Sequence, residues 1–157
     1  VIECYGDLWD FIPRAKKVDA RVVATNGVVN KHGEAIMGRG SALEAQQRFP
    51  NIQYRLGELI RKKGSRVQVI NDEKYALVAF PTKDDWRENS DLRLITRSTV
   101  QLANLADKKG WQVIVMPRVG AGAGNLKWDD VKRRIQGILD DRFYVITFAP
   151  DDRRLSI

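Results

Sequence analysis

A lysine set directly behind an apolar strand that proline cuts short is the residue here best placed to do chemistry. It is Lys83, in the run Ala79-Phe80-Pro81-Thr82-Lys83-Asp84-Asp85-Trp86-Arg87-Glu88. Two glycine-rich loops lie elsewhere, Met37-Gly38-Arg39-Gly40-Ser41 and Val119-Gly120-Ala121-Gly122-Ala123-Gly124-Asn125, each following an apolar run and preceding a helical pattern. In α/β proteins this is how a phosphate cradle is built: backbone N–H groups and a helix N-terminus face the anion with no side chains in the way. A phosphate site with a lysine nearby is the chemistry these residues suggest.

Spacing removes several alternatives. Gly120-x-Gly122-x-x-Asn125 lacks the third glycine of the dinucleotide fingerprint, and no acidic residue ends a following strand about 20 positions on. Neither loop is followed by Gly-Lys-Ser/Thr, which excludes a P-loop NTPase. His32 is the only histidine and Cys4 the only cysteine, so neither a zinc cluster nor a Ser-His-Asp or Cys-His arrangement can be assembled. Lysine, carboxylates, amides and backbone dipoles remain, with no cofactor or metal implied.

The elements that must position these groups follow from periodicity. Ile2 to Tyr5 and Arg21 to Thr25 read as strands, Ser41 to Phe49 as a helix ended by Pro50, and Ile52 to Lys63 as a helix closed by Gly64. Val67 to Asn71 and Tyr75 to Phe80 form a hairpin, with Pro81 stopping the second strand. A helix from Asp91 with a cap at Ser90 ends before Gly110. Gln112 to Met116 reads as a buried strand, and Asp129 to Leu139 as a helix with Val131, Ile135 and Ile138 inward. Phe143 to Phe148 is the last strand. This alternation predicts a single domain over residues 1–157, a three-layer α/β/α arrangement with a mixed, partly parallel sheet. Ligands in such sheets bind beyond the carboxyl ends of the strands. One cleft should therefore gather Asp7, Asn26, Gly38 to Ser41, Lys83 and Gly120 to Asn125.

Composition sets the outer bounds. The chain has 157 residues, 27 Lys plus Arg against 20 Asp plus Glu, a net charge of +7 and a pI near 9.7. That length buries about two-thirds of the unfolded surface without staples. Cys4, alternating with Ile2, is expected as a small buried hydrophobe in a reducing compartment. With no signal peptide or spanning apolar run in view, a cytoplasmic, monomeric, membrane-free protein is expected. The positive charge favours a polyanionic partner, although Arg14-Ala15-Lys16-Lys17, Arg61-Lys62-Lys63, Lys132-Arg133-Arg134 and Arg153-Arg154 are spread along the chain and each reads first as a solvated face.

Five segments in order, Gly6-Asp7-Leu8, Val22-Val23-Ala24-Thr25-Asn26-Gly27, Met37-Gly38-Arg39-Gly40-Ser41-Ala42, Met116-Pro117-Arg118-Val119-Gly120-Ala121-Gly122 and Leu126-Lys127-Trp128, resemble the macrodomain family from about Gly6 to Phe148. The Met-Gly-x-Gly loop is similar to that of the lysine-dependent ADP-ribosyl hydrolases. Phe80-Pro81-Thr82-Lys83 with Trp86-Arg87 and Ser90 most resembles the DarG-type DNA ADP-ribosyl glycohydrolases, which act as antitoxins.

The resemblance implies an ADP-ribose site, residue by residue. Asp7 would accept a hydrogen bond from the adenine amino group with the Leu8 N–H beside the ring; read alone, it is an ordinary turn aspartate. Asn26 would meet the distal ribose, with Asn30 as a rival. Gly38, Arg39, Gly40 and Ser41, together with Gly120, Ala121, Gly122, Ala123, Gly124 and Asn125, would wrap the diphosphate and distal ribose, where glycine permits close approach. Phe148 would stack on adenine or serve as plain core. Lys83 would attack or polarise C1″ of the opened ribose. An amine does this only when deprotonated, which calls for a desolvating flank such as Trp86.

One departure is visible. Where the protein-directed glycohydrolase carries a catalytic aspartate in the second loop, this chain has Gly124. Three readings therefore stand: removal of ADP-ribose from a nucleobase in DNA, with single-stranded DNA as partner; hydrolysis of ADP-ribosyl protein or ADP-ribose 1″-phosphate; and a non-catalytic ADP-ribose reader.

Overall fold

A computed structural model of the chain describes residues 1–14 and 16–147. Six strands form one sheet: β1 (Ile2–Tyr5), β2 (Ala20–Thr25), β3 (Gln68–Asn71), β4 (Ala76–Pro81), β5 (Ile114–Pro117) and β6 (Phe143–Thr147), in the order β1-β6-β5-β2-β4-β3. All neighbours are parallel except β3 and β4, which pair as an antiparallel hairpin. The sheet is thus mixed, as its sequence predicts.

Helices cover both faces. On one, α1 (Ser41–Arg48) and α2 (Ile52–Lys63) bury Ala42, Ala45, Ile52 and Leu56 against Val23, Leu77, Val115 and Ile146. On the other, α3 (Leu92–Lys109) and α4 (Trp128–Ile135) bury Ile95, Leu102, Val131 and Ile135 against Val22, Val78, Phe80 and Met116. β4 is buried along its whole length, which suits a strand with helices on each side. Gly57 lies in mid-α2 because the chain crosses it there: a Cβ would sit 2.0 Å from the Gly33 carbonyl oxygen.

Some expected details differ. α3 is capped by Asp91, whose carboxylate accepts from the Arg93 N–H (2.8 Å), while the Ser90 N–H is turned to the Gly124 carbonyl (3.0 Å). β5 starts only at Ile114 because the Gln112 and Val113 N–H groups donate to the Asp19 carboxylate (2.8 and 3.0 Å) and not to a neighbouring strand. α4 stops at Ile135, two residues before Gly137; Leu139 then takes the inward position and Ile138 is 36% exposed. Cys4 is half-buried on edge strand β1, and desolvation pushes its thiol pKa up.

β2 pairs with β5 only at Ala20 and Arg21, opposite Ile114 and Val115. Further along, the Ala24 N–H donates to Ser41 Oγ (2.9 Å). The chain leaves β2 toward β4 on one side and leaves β5 toward β6 on the other, so these two strands mark a topological switch point where a crevice opens.

Candidate active site

The crevice is a cavity of about 1020 Å³, at the upper end of the usual range for small-molecule sites. Its walls are the segments after five strands: Asp7 and Leu8 behind β1, Thr147 at the end of β6, Gly120 to Gly124 behind β5, Asn26 and Gly38 to Ser41 behind β2, and Lys83 behind β4. Strand order fixes their sequence in space. Asp7 and Lys83 lie four strand spacings apart, about 19 Å at 4.8 Å each, with both glycine-rich loops between them. The cavity is elongated, with a carboxylate at one end, backbone donors in the middle and an amine at the other end.

At the first end, Asp7 Oδ1 accepts from the Trp9 N–H (2.8 Å), and its carbonyl accepts from the Asp10 and Phe11 N–H groups. This turn leaves the second carboxylate oxygen and the Leu8 N–H without partners among the described residues. Arg21 secures it from below. Only 4% exposed, its guanidinium donates to the Leu8 carbonyl (2.6 Å) and lies 5.0 Å from the Tyr75 ring centre. Burial pulls its pKa down, while the nearby Tyr75 opposes the shift.

In the middle, the first loop turns through Gly38 (φ 62°) and Gly40 (φ 70°) into the N-terminus of α1, with Ser41 tied to β2 as described. In the second loop, Gly120 has φ 78°, and a Cβ there would lie 2.6 Å from Ile95 Cδ1. Only Ala121 (to Arg118) and Asn125 (to Gly122) donate backbone bonds within this loop, and Leu126 closes it onto Gly120. The N–H groups of Gly122, Ala123 and Gly124 have no carbonyl partner among the described residues. Free donors on two facing loops and a helix N-terminus form an anion cradle. Arg39, Lys83, Arg87 and Arg118 outnumber the lining carboxylates Asp7 and Glu44. The field therefore also favours an anion.

At the other end, two backbone bonds straddle Lys83. The Thr82 N–H donates to the Thr25 carbonyl (3.0 Å), and the Gly27 N–H to the Asp84 carbonyl (2.9 Å), extending the β2–β4 ladder past the strands. Ser98 Oγ donates to the Pro81 carbonyl (2.7 Å), and the Asp91 N–H to the Thr82 carbonyl (2.9 Å). Lys83 is half-buried and has no carboxylate within ion-pair distance among the described residues. Trp86, on the same loop, also lines the cavity and is 45% exposed.

Most of the residues expected in one cleft therefore meet. Asn26 lines the cavity, 6% exposed, with Nδ2 donating to the Ile36 carbonyl (2.8 Å) and Oδ1 accepting from the Val28 N–H (2.9 Å). Asn30 does not; its side chain organises the Asn30–Glu34 turn. Asn125, with φ 64°, directs its amide to Asn89 (2.9 Å) and is not among the lining residues. Phe148 lies outside the described residues. Arg21, Glu44, Arg118, Ser90 and Trp128 also belong to the site or its supports. Of these, only Arg118, Trp128 and Ser90 fall in segments that the motifs single out.

The Macro domain family model matches residues 19–135. The chain is 30% identical over 135 residues to a DNA ADP-ribosyl glycohydrolase of Thermus aquaticus, covering 81% of this chain and 37% of that protein. It is 29% identical over 108 residues to a DNA ADP-ribosyl glycohydrolase of Mycobacterium bovis, covering 64% and 30%. The chain thus spans about a third of the length of the curated relatives it matches. Among solved structures, the macrodomain of Thermus aquaticus DarG superposes with a TM-score of 0.74 at 27% identity, covering 95% of this chain and 97% of that one.

Proposed function

The chain belongs to the Macro domain family, and from that premise we propose that it binds ADP-ribose in the cavity and removes it from modified nucleobases in DNA. The observation that carries the reading is the order of groups along the cavity: Asp7, then the two backbone cradles, then Lys83. An ADP-ribose laid along that order has adenine at Asp7 and Leu8, diphosphate against the loop N–H groups, and the distal ribose near Asn26 and Lys83. The names of the relatives support DNA as the carrier of the modification.

In this reading, opening of the distal ribose makes C1″ electrophilic, and the neutral amine of Lys83 adds to it. The bond from C1″ to the nucleobase breaks, the base leaves with a proton, and water releases ADP-ribose and regenerates the amine. The loops hold the diphosphate through backbone groups, so binding and chemistry rest on different atoms.

The lack of a carboxylate in the second loop favours a second reading, a module that binds ADP-ribose without turning it over. One experiment separates the readings: incubate the chain with an ADP-ribosylated oligodeoxynucleotide and with ADP-ribosylated protein side by side. Release from DNA is expected. Binding with no release from either leaves the reader, and release from protein alone overturns the DNA assignment.

A further inference from the structure

Trp86 lines the cavity on the same loop as Lys83, and beyond a flank for that lysine the ADP-ribose reading gives its ring no ligand to meet. Trp86 Cβ lies 3.9 Å from the position a Cβ would take at Gly38, which seats the residue against the first glycine-rich loop. The residue is 45% exposed, with the Arg87 guanidinium 5.5 Å from the ring centre. Asp85 fixes Arg87 through Nε (2.9 Å), a terminal nitrogen (2.6 Å) and the backbone N–H (2.9 Å). Those bonds to Arg87 hold the Asp85 carboxyl below the usual carboxylate range, at a pKa of about 2. The Asp85 N–H bond to Glu88 (3.1 Å) and the Glu88 N–H bond to Asp85 (3.0 Å) close the loop on itself. The ring is therefore presented by a pre-formed loop and need not be ordered on binding.

The surface next to this loop is basic. Gly27, bonded to Asp84, would place a Cβ 3.2 Å from Ser65 Cβ, and Ser65 sits between the exposed groups of Arg61, Lys62 and Lys63 at the end of α2 and Arg66. Glu58 offsets Lys62 at 3.5 Å, and Asp84 and Glu88 flank the Trp86 loop. Aromatic faces stack on any base, and neighbouring cations follow the phosphates; together these are the means by which proteins hold single strands.

We propose that Trp86 and Arg87 form a nucleobase subsite at the mouth of the cavity. Trp86 stacks on the base that carries ADP-ribose, and the single strand leaves over the Gly27–Ser65 contact toward Arg61, Lys62, Lys63 and Arg66. This rests on the DNA reading above and adds where the non-ADP-ribose part of the substrate is held.

Binding tests it without requiring turnover. In a Lys83→Ala background, a short single-stranded oligodeoxynucleotide carrying one ADP-ribosylated thymine should bind about 10- to 100-fold tighter than free ADP-ribose, the scale of base–aromatic stacking. Adding Trp86→Ala should remove most of that preference while leaving free ADP-ribose within about 2-fold; Trp86→Phe should retain it. Lys62→Glu with Lys63→Glu should weaken the oligonucleotide and flatten its salt dependence. Equal weakening of both ligands by Trp86→Ala would mean that the ring serves ADP-ribose itself, and no change in either would mean that it serves neither; both results overturn the subsite. A Trp86-dependent preference in a wild-type chain that releases nothing keeps the subsite and refutes the enzyme, whereas release with no such preference does the reverse.

Discussion

A Cβ built at Gly124 would lie 2.1 Å from Ser90 Oγ and 2.6 Å from the Gly120 carbonyl oxygen, at the loop position where an aspartate would serve protein-directed hydrolysis. The departure from that pattern is therefore built into the packing as well as the sequence. Gly124→Asp is expected to destabilise the fold by about 1–3 kcal/mol, as overpacking usually does, without gaining activity on ADP-ribosylated protein; a melting curve and a release assay check both. Asp7 allows a cleaner separation of roles. Asparagine can still accept from the Trp9 N–H but loses the charged acceptor. Asp7→Asn should thus weaken ADP-ribose by about 1–3 kcal/mol in calorimetry while leaving melting nearly unchanged.

Two contacts between elements make predictions of their own. Gly57 of α2 lies under the Gly33 carbonyl, so Gly57→Ala must push the Asn30–Ala35 turn outward, and its cost in stability should exceed the gain in helix propensity; chemical denaturation measures the net loss. Glu3 of β1 accepts from Lys132 Nζ (2.5 Å) and Trp128 Nε1 (2.8 Å), and those bonds hold its pKa below the ordinary 4.5. A carboxyl with a lowered folded pKa contributes stability fully above 4.5 and loses it as the pH falls through the folded value. Wild type should lose its small margin over Glu3→Gln in that acid window, at most about 1 kcal/mol for so exposed a network. Element ends were legible in the sequence wherever Pro81, Gly64 or Gly110 stops an apolar pattern. The cap at Asp91 and the early stop of α4 were not, because Ser90 and Asp91 are both good caps and Gly137 is compatible with either a helix end or its interior. Nor was the choice between Asn26 and Asn30, which depends on the turn that each side chain closes. Arg21 carries no sequence signal beyond opening a strand, and only the fold puts it under Leu8.

At the scale of the molecule, the strand order turns scattered motifs into one site. β1 meets β6 across 142 residues at Ile2 and Tyr144, a pairing with no local signature, so the sequence could place residues at strand ends but not set their order along the cavity. The family resemblance supplied that order, and the sheet accounts for it physically. The net charge of +7 acts at this scale too. If it serves a nucleic acid, turnover of modified DNA should fall steeply with salt while binding of free ADP-ribose changes much less; equal salt sensitivity would count against a DNA track. The proposed division of labour, with Lys83 performing the chemistry and backbone groups holding the ligand, is tested most directly by ADP-ribose release from a thymine-modified oligonucleotide by Lys83→Ala and Lys83→Arg, with calorimetry of free ADP-ribose on the same proteins. Both variants should lose release, arginine included because guanidinium stays protonated, while Lys83→Ala binds ADP-ribose within a few-fold of wild type. Full release by Lys83→Ala would rule out chemistry at this lysine.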